Sequence, residues 1–480
     1  MDRFKNLIGG AWVAASDGAA FEVRNPARPD EVVGLFPSAT AGDTEQAIET
    51  ARAALPGWAM PPPPQRGAIL DKASRLLETR LEEMSIALTR EEGKTLAESR
   101  AEVARARDLF RYYAGEGWRM AGTTLPSNSD GELLYTRREP VGVVGIITPW
   151  NFPIAIPAWK IAPALVYGNT VVFKPAGQTP YVATLLAQAL VEAGLPAGAF
   201  NLVIGGGKVV GDTLTGSAQI NAVSFTGSYA VGTRVYSRAM AHMARVQLEM
   251  GGKNPLVVLA DADLELAVDL AVRGGFGGTG QACTATSRVI VDESVADRFA
   301  QGLVGRAGAL IVGDGLDPKT QMGPAVGRDQ LGTDLKYIEI GRQEGARLLA
   351  GGGPVGQAGF YVQPTVFDGV TPDMRIAQAE IFGPVIGIIR AAGFDDAVDK
   401  ANAIGFGLSA AVVTRDLRSA FQFANRIEAG IVRINEPTVG PAIQAPFGGF
   451  KQSSANTFKE QGQAAIEFYT RTKTVYVGHG

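Results

Sequence analysis

The stretch from Val141 to Ser228 constrains the fold most. Four short apolar runs, VGVVGIITPW from 141, TVVFKPA from 170, NLVIGGG from 201 and NAVSFTGS from 221, alternate with helical stretches such as Thr179 to Ala193. Strands apolar on both faces, separated by helices, specify a parallel sheet covered by helices on its two sides. Ligands of such sheets gather beyond the carboxyl ends of the strands. The residues there are Asn151, Lys174, Gly205 to Gly207 and Thr226-Gly227-Ser228. FTGSYAVG, 225 to 232, reads as strand, tight turn and helix start, whose free amides and Ser228 hydroxyl suit a phosphate. It is not G-x-G-x-x-G, so by itself it is equally a plain turn.

A second alternating region runs from Cys283 to about 430, with SRVIVDE, a helix near Val295 to Gly308, and AAVVTRD followed by a helix to Ile427. Before it, Asp261 and Asp263 are candidate caps for a helix around Leu264 to Val272. Residues 1 to 60 mix short strands with a helical stretch starting near Thr44, and Pro61 to Pro64 form a stiff loop. Ile69, Leu70, Ala73, Leu76, Leu77 and Leu81 then predict one long amphipathic helix from Arg66 to Glu92, with a second over Leu96 to Tyr113. PSNSDG breaks that pattern before ELLYTRRE, an extended excursion or hairpin, and the closing FYTRTKTVYV reads as an edge strand seeking a partner.

With 480 residues the chain has room for about two to three domains. A net charge of -3 and no basic run argue against nucleic acid or an anionic membrane as partner. MDRFKNLIGGAWV lacks the apolar core of a signal peptide, and no apolar run approaches the ~20 residues that span a bilayer. A single cysteine leaves no intramolecular disulfide and fits a reducing compartment, so the expectation is a soluble cytoplasmic protein. With only His242 and His479, a histidine zinc site or a histidine-activated nucleophile is not expected, and no metal is assigned.

That cysteine, Cys283, lies in FGGTGQACTATSR, residues 276 to 288, among small residues that let a ligand approach the backbone, with Thr279, Gln281 and Thr284 to orient it. A lone cysteine is also commonly a small buried hydrophobe. A second stretch, VQLEMGGKNPLVVL from 246 to 259, sets Glu249 on an apolar strand, where a carboxylate is poorly solvated. LEMGGKNP with GQAC, which places Cys283 34 positions after Glu249, resembles the paired signature of the aldehyde dehydrogenase superfamily. Lys174 in FKPA and EIFGPV at 380 to 385 extend the resemblance over essentially the whole chain.

The resemblance implies an α/β fold: a Rossmann-type parallel-sheet dinucleotide-binding domain (1–123 and 141–250), an α/β catalytic domain (251–435) and a small β oligomerisation element (124–140 and 465–480). Residues 436–464 would return to the cofactor domain, and the assembly would be a homodimer or homotetramer. It further implies Cys283 as nucleophile, Glu249 as general base for thioester hydrolysis, and the Asn151 side chain with the Cys283 amide as oxyanion donors. Trp150 and Lys174 would line the adenosine end, the Thr226-Gly227-Ser228 turn would meet the pyrophosphate through Ser228, and Glu380 and Phe382 would hold the nicotinamide ribose and ring.

Two departures stand out. Gly177 occupies a position where many NAD-preferring members carry glutamate, so both NAD and NADP are expected as cofactors. Gly278 stands where many members have asparagine. FRYYAGEGWRMAG, ITPWNFPIAIPAWKIAPAL, GTGQACTATSR and EFYTRTKTVYV look most like the 2-oxoglutarate semialdehyde (2,5-dioxopentanoate) dehydrogenases of the superfamily. Succinate and glutarate semialdehydes are the alternative substrates; the succinate-specific relatives often place arginines at the positions of Trp159 and Gly277, and both are absent here. Phe152, Trp159, Ala282, Thr284 and Pro437 are expected to line the substrate pocket, and Arg111 and Arg433 are candidates for the substrate carboxylate. A catalytically silent member serving as a structural or binding protein is the reading from another class, and intact Asn151, Glu249 and Cys283 argue against it.

Overall fold

In the computed structural model the four apolar runs become the strands Val143–Ile147, Thr170–Lys174, Phe200–Leu202 and Ala222–Thr226, every residue of them buried. The structure describes residues 2–356, 358–454 and 458–478; the remaining positions, which include His479 and parts of the expected return and oligomerisation segments, lie outside the described residues. With Arg245–Glu249 the four runs form a parallel array in the order Arg245–Glu249, Ala222–Thr226, Val143–Ile147, Thr170–Lys174, Phe200–Leu202. Asn6–Ile8 and Ala11–Val13 add antiparallel strands at one edge, completing seven. Two apolar clusters cover its faces, one around Val144, Ile146 and Phe173, the other around Val143, Val172 and Val223. Successive side chains thus go to opposite layers, and each fully buried aliphatic contributes about 1.5–3 kcal/mol.

The second region is another seven-stranded sheet, ordered Arg347–Ala350, Thr365–Asp368, Val385–Ala391, Thr286–Asp292, Asn254–Val258, Ser409–Val413, Ile431–Ile434, parallel except for the first strand. It too is sandwiched between two apolar clusters. A third, antiparallel sheet pairs Thr470–Gly478 with Glu132–Pro140, from Thr470 opposite Pro140 to Gly478 opposite Glu132, with Thr124–Leu125 on the far side. Thr470–Gly478 is an edge strand of this sheet.

Two local expectations are corrected. The long helix read over Arg66 to Glu92 is two helices, Pro63–Thr79 and Leu81–Glu92, broken at Arg80, whose φ of −104° and ψ of 13° leave the helical range. The apolar spacing survives the break because both pieces pack on Leu96–Glu116. Asp263 caps Leu264–Phe276 by accepting from the Leu266 amide, but Asp261 does not share that task. Its carboxylate accepts instead from the Thr414 hydroxyl and from the amides of Arg415 and Asp416, fastening the turn that follows Ser409–Val413.

Candidate active site

The carboxyl ends of the first sheet and the loop before Thr286–Asp292 meet at a cleft of about 280 Å³. Val143–Ile147 delivers Trp150 and Asn151 to it, and Ala222–Thr226 delivers Thr226, Gly227 and Ser228. Ser228 is extended (φ −70°, ψ 153°) and opens the helix Tyr229–Met240 without a side-chain cap, so the first-turn amides face the cleft region unclaimed by a side chain. The Gly227 amide donates to the Glu249 carbonyl at 3.1 Å, tying this turn to the neighbouring strand end. From the second sheet come Cys283, Glu380 and Phe382, whose ring meets Trp150 edge-on at 5.3 Å. Lys174 does not bound this cleft; its ammonium donates to the Pro175 carbonyl at 3.0 Å, and burial pushes its pKa down to about 8.

Cys283 is presented by a backbone that only small residues tolerate. Gly278, Thr279 and Gly280 have φ of 57°, 60° and 68°, and a Cβ on Gly280 would lie 2.4 Å from the Gly383 carbonyl oxygen. Cys283 is half-buried and borders the cleft. Burial, followed by the Glu380 and Glu249 carboxylates, pushes the thiol up to about 12, against the pull of the Thr284 and Cys283 amides. The resting group is therefore a thiol and needs a proton acceptor. Asn151 donates one amide hydrogen to the Gln281 carbonyl at 2.9 Å and keeps the other. Its Oδ1 is buried without a hydrogen bond.

Glu249 ends the strand Arg245–Glu249; its carboxylate is buried, with the Gly449 amide beside it. Burial and then the Glu460 carboxylate hold its pKa well above the usual carboxylate range, opposed by Lys160 and Lys459. Behind it, the buried Lys160 ammonium pairs with Glu460 and donates to the Ser224 hydroxyl at 2.9 Å. Glu380 accepts from the Gly252 amide at 3.0 Å, and burial raises it to about 7. Next to it Lys253 is buried with no hydrogen bond at its ammonium among the described residues, and burial lowers its pKa to about 7.

The donor set of the cleft fits a phosphate-bearing dinucleotide: an uncapped helix start and a buried Thr226 hydroxyl without a partner among the described residues.

On the other side of Asn151 a second cavity of about 300 Å³ is bounded by Phe152, Gln281 and Ala282 and by charged side chains of both signs, Lys94, Arg105 and Arg273 with Glu92, Glu98 and Glu102. Trp159, Thr284 and Pro437 do not bound it. Trp159 stands behind its wall, 5.4 Å from the Phe447 ring, with the Arg105 guanidinium over its face at 5.9 Å. The Thr284 carbonyl accepts from the Thr438 hydroxyl at 2.7 Å. Neither arginine named from sequence reaches the cavity: Arg111 pairs with Glu78 at 3.0 Å on the surface, and Arg433 donates to the Gly440 carbonyl at 2.7 Å. Sequence alone does not single out Arg105 and Arg273, because each is one charge among many on an amphipathic helix.

Comparison with known proteins agrees with this geometry. A model of the aldehyde dehydrogenase family matches residues 12–475. The alpha-ketoglutaric semialdehyde dehydrogenase of Bacillus subtilis is 48% identical, covering 99% of this chain and 98% of that protein. The 2,5-dioxopentanoate dehydrogenase of Saccharolobus solfataricus is 46% identical, covering 97% and 98%. The NAD+ complex of the aldehyde dehydrogenase from Bacillus cereus superimposes with a TM-score of 0.97 at 37% identity, over 100% of this chain and 97% of that one. With a full-length family match, the same fold and a cysteine at the meeting of its two sheets, the chain is an enzyme of the aldehyde dehydrogenase family.

Proposed function

We propose that the protein oxidises 2-oxoglutarate semialdehyde to 2-oxoglutarate, with NAD or NADP as cofactor. The observation that carries this reading is that Asn151 bounds both cavities while Cys283 opens on the cleft, so an aldehyde entering from the Phe152 side meets the thiol across Asn151. The semialdehyde activity named for the two relatives supports the substrate. In this reading residues 1–123 and 141–250 bind the cofactor, and 251–435 carry the nucleophile. The uncovered edge of Thr470–Gly478, with Tyr476 and Val477 exposed, supports self-association as a dimer or tetramer through residues 124–140 and 465–480. Among the described residues no helix is long and apolar enough to cross a membrane, in keeping with a cytoplasmic enzyme.

When bound, the oxidised nicotinamide accepts a hydride. The chain does the rest. The Cys283 sulfur gives its proton to the ionised Glu249 carboxylate, which passes it on to solvent, and bonds to the aldehyde carbon; the oxyanion is met by the free Asn151 amide hydrogen and the Cys283 backbone amide. Departure of hydride from that carbon leaves a thioester on the sulfur. Glu249, once ionised, takes a proton from a water that attacks the thioester carbon, releasing the carboxylic acid and restoring the thiol. Glu380 and Phe382 orient the ribose and ring, Ser228 with the start of Tyr229–Met240 receives the pyrophosphate, and Lys174 stands at the adenosine end. A panel of aldehydes scored by kcat/KM tests the substrate: 2-oxoglutarate semialdehyde is expected to lead, with succinate and glutarate semialdehydes behind it. A simple aliphatic aldehyde outperforming all three would overturn the assignment, and turnover by Cys283→Ala would overturn the mechanism.

A further inference from the structure

Three acids, Glu92, Glu98 and Glu102, and three bases, Lys94, Arg105 and Arg273, line the second cavity, and they are unequally engaged. Of its acids, Glu98 accepts from the Thr95 and Gly278 amides, and Glu102 from the Lys94 ammonium and the Ile154 and Ala155 amides. Glu92 accepts from the Lys94 amide. Lys94 is spent on Glu102 and the Asn151 carbonyl, both at 2.6 Å. Its two arginines are different. Arg105, on Leu96–Glu116, makes no ion pair among the described residues; it donates only to neutral acceptors, the Pro441 carbonyl at 2.6 Å and the Gln461 side-chain oxygen at 2.8 Å. A guanidinium has five N–H donors, so these bonds leave others free. Arg273, in the last turn of Leu264–Phe276, is exposed at the rim and has no ion pair among the described residues.

Arg105 is half-buried and feels the Glu102 and Asp108 carboxylates without an ion pair to either, so its unengaged N–H groups gain from an anion that arrives to share its site. Phe152 follows Asn151 in the chain and Ala282 follows Gln281, whose carbonyl accepts from the Asn151 amide, so the apolar wall adjoins Asn151; the arginines come from two separate helices. That polarity matches a short aldehyde whose far end is a carboxylate. It also supplies what the positions of Trp159 and Gly277 lack: Trp159 presents its ring as the shelf on which Arg105 rests.

We propose that Arg105 is the residue that binds the substrate carboxylate, and that Arg273 at the rim draws the anion in. This rests on the acidic-semialdehyde reading and names the residues that enforce it. Arg105 is then a specificity-determining residue, and Arg273 acts chiefly on association.

The test uses the full-length enzyme with Arg105→Met, Arg105→Lys and Arg273→Met, each assayed on 2-oxoglutarate, succinate and glutarate semialdehydes and on neutral pentanal. In Arg105→Met the ratio of kcat/KM for the acidic substrates to that for pentanal should fall about thirtyfold or more, roughly 2 kcal/mol. The loss should lie in KM, and Arg105→Lys should recover part of it. In Arg273→Met, kcat/KM for the acidic substrates should fall and lose much of its dependence on ionic strength. A variant that loses all four substrates equally, or none, overturns the proposal, because a structural role for Arg105 through Pro441 and Gln461 would lower both kinds alike. Preference of the wild type for succinate or glutarate semialdehyde would overturn the 2-oxoglutarate reading alone, while an unchanged acidic-to-neutral ratio in Arg105→Met would overturn this proposal alone.

Discussion

A Cβ on Gly251 would lie 1.9 Å from Oε2 of Glu380, so the two residues meet only because one of them has no side chain. The contact sets the carboxylate beside the cleft, where the next amide, that of Gly252, holds it at 3.0 Å. Gly251→Ala must therefore displace Glu380 while leaving the sheet strands intact. Cofactor affinity, read by fluorescence titration with NAD, is expected to weaken about tenfold, a loss of about 1.4 kcal/mol. Unchanged affinity would show that the position of Glu380 does not matter to the cofactor.

Glu249 gives a kinetic prediction with a definite sign. Because burial and Glu460 hold its pKa well above the ordinary carboxylate range, its ionised form grows in as pH rises. Thioester hydrolysis should accelerate with pH through that rise. Glu249→Gln should flatten the dependence and slow steady turnover by about a hundredfold or more. Intact-protein mass spectrometry after mixing with substrate should find acyl-enzyme in the variant. An unaltered pH profile would remove Glu249 from the hydrolytic step.

What the sequence made legible follows from how local the determining physics is. The strands from Val143 to Thr226 could be read because residues buried on both faces leave continuous apolar runs, and Asp263 could be read as a cap because its partner amide is three residues on. The break at Arg80 could not, because no glycine or proline marks it and the apolar spacing continues across it. Asp261 has the composition of a cap, yet its partners are more than 150 positions away at Thr414 to Asp416. For the same reason Cys283 and Asn151 could be picked out by motif, whereas Arg105 and Arg273 acquire their setting only when two distant helices close over Phe152.

Gly177 permits a clean test of cofactor choice. Nothing lies within 4 Å of the place where its Cβ would be, so a side chain there meets no steric objection and acts through its charge. The wild type should accept both cofactors, with NADP disfavoured by less than about a thousandfold, roughly 4 kcal/mol. Gly177→Glu adds a carboxylate that would repel a 2′-phosphate and receive ribose hydroxyls. Its NAD-to-NADP ratio of kcat/KM should rise about tenfold or more. A ratio that does not move would place the adenosine ribose elsewhere.

Asp334 is expected to couple the fold around the Glu380 to Gly383 loop to pH. It lies on Arg328–Gln343, wholly buried, and its Oδ1 accepts from Gln330, whose side-chain nitrogen also donates to the Ile381 carbonyl at 3.1 Å. Its Oδ2 has no hydrogen bond, and a Cβ on Gly383 would fall 2.1 Å from Oδ1, so the carboxyl is wedged against the chain immediately after Phe382. Burial raises its pKa from 3.8 to about 8. The native state therefore prefers the neutral acid, and the stability this contributes is full below pH 3.8 and declines until the folded group itself ionises near pH 8. Over that window the slope approaches about 1.4 kcal/mol per pH unit for the single group. Asp334→Asn keeps the shape and the Gln330 contact and removes the titration. Urea midpoints compared at pH 5 and pH 8.5 should show the wild type losing stability relative to the variant as pH rises, and residues 380 to 383 should gain protection from hydrogen exchange in the variant at pH 8.5. Parallel midpoints for the two proteins across this range would mean that Asp334 is ionised in the native state throughout.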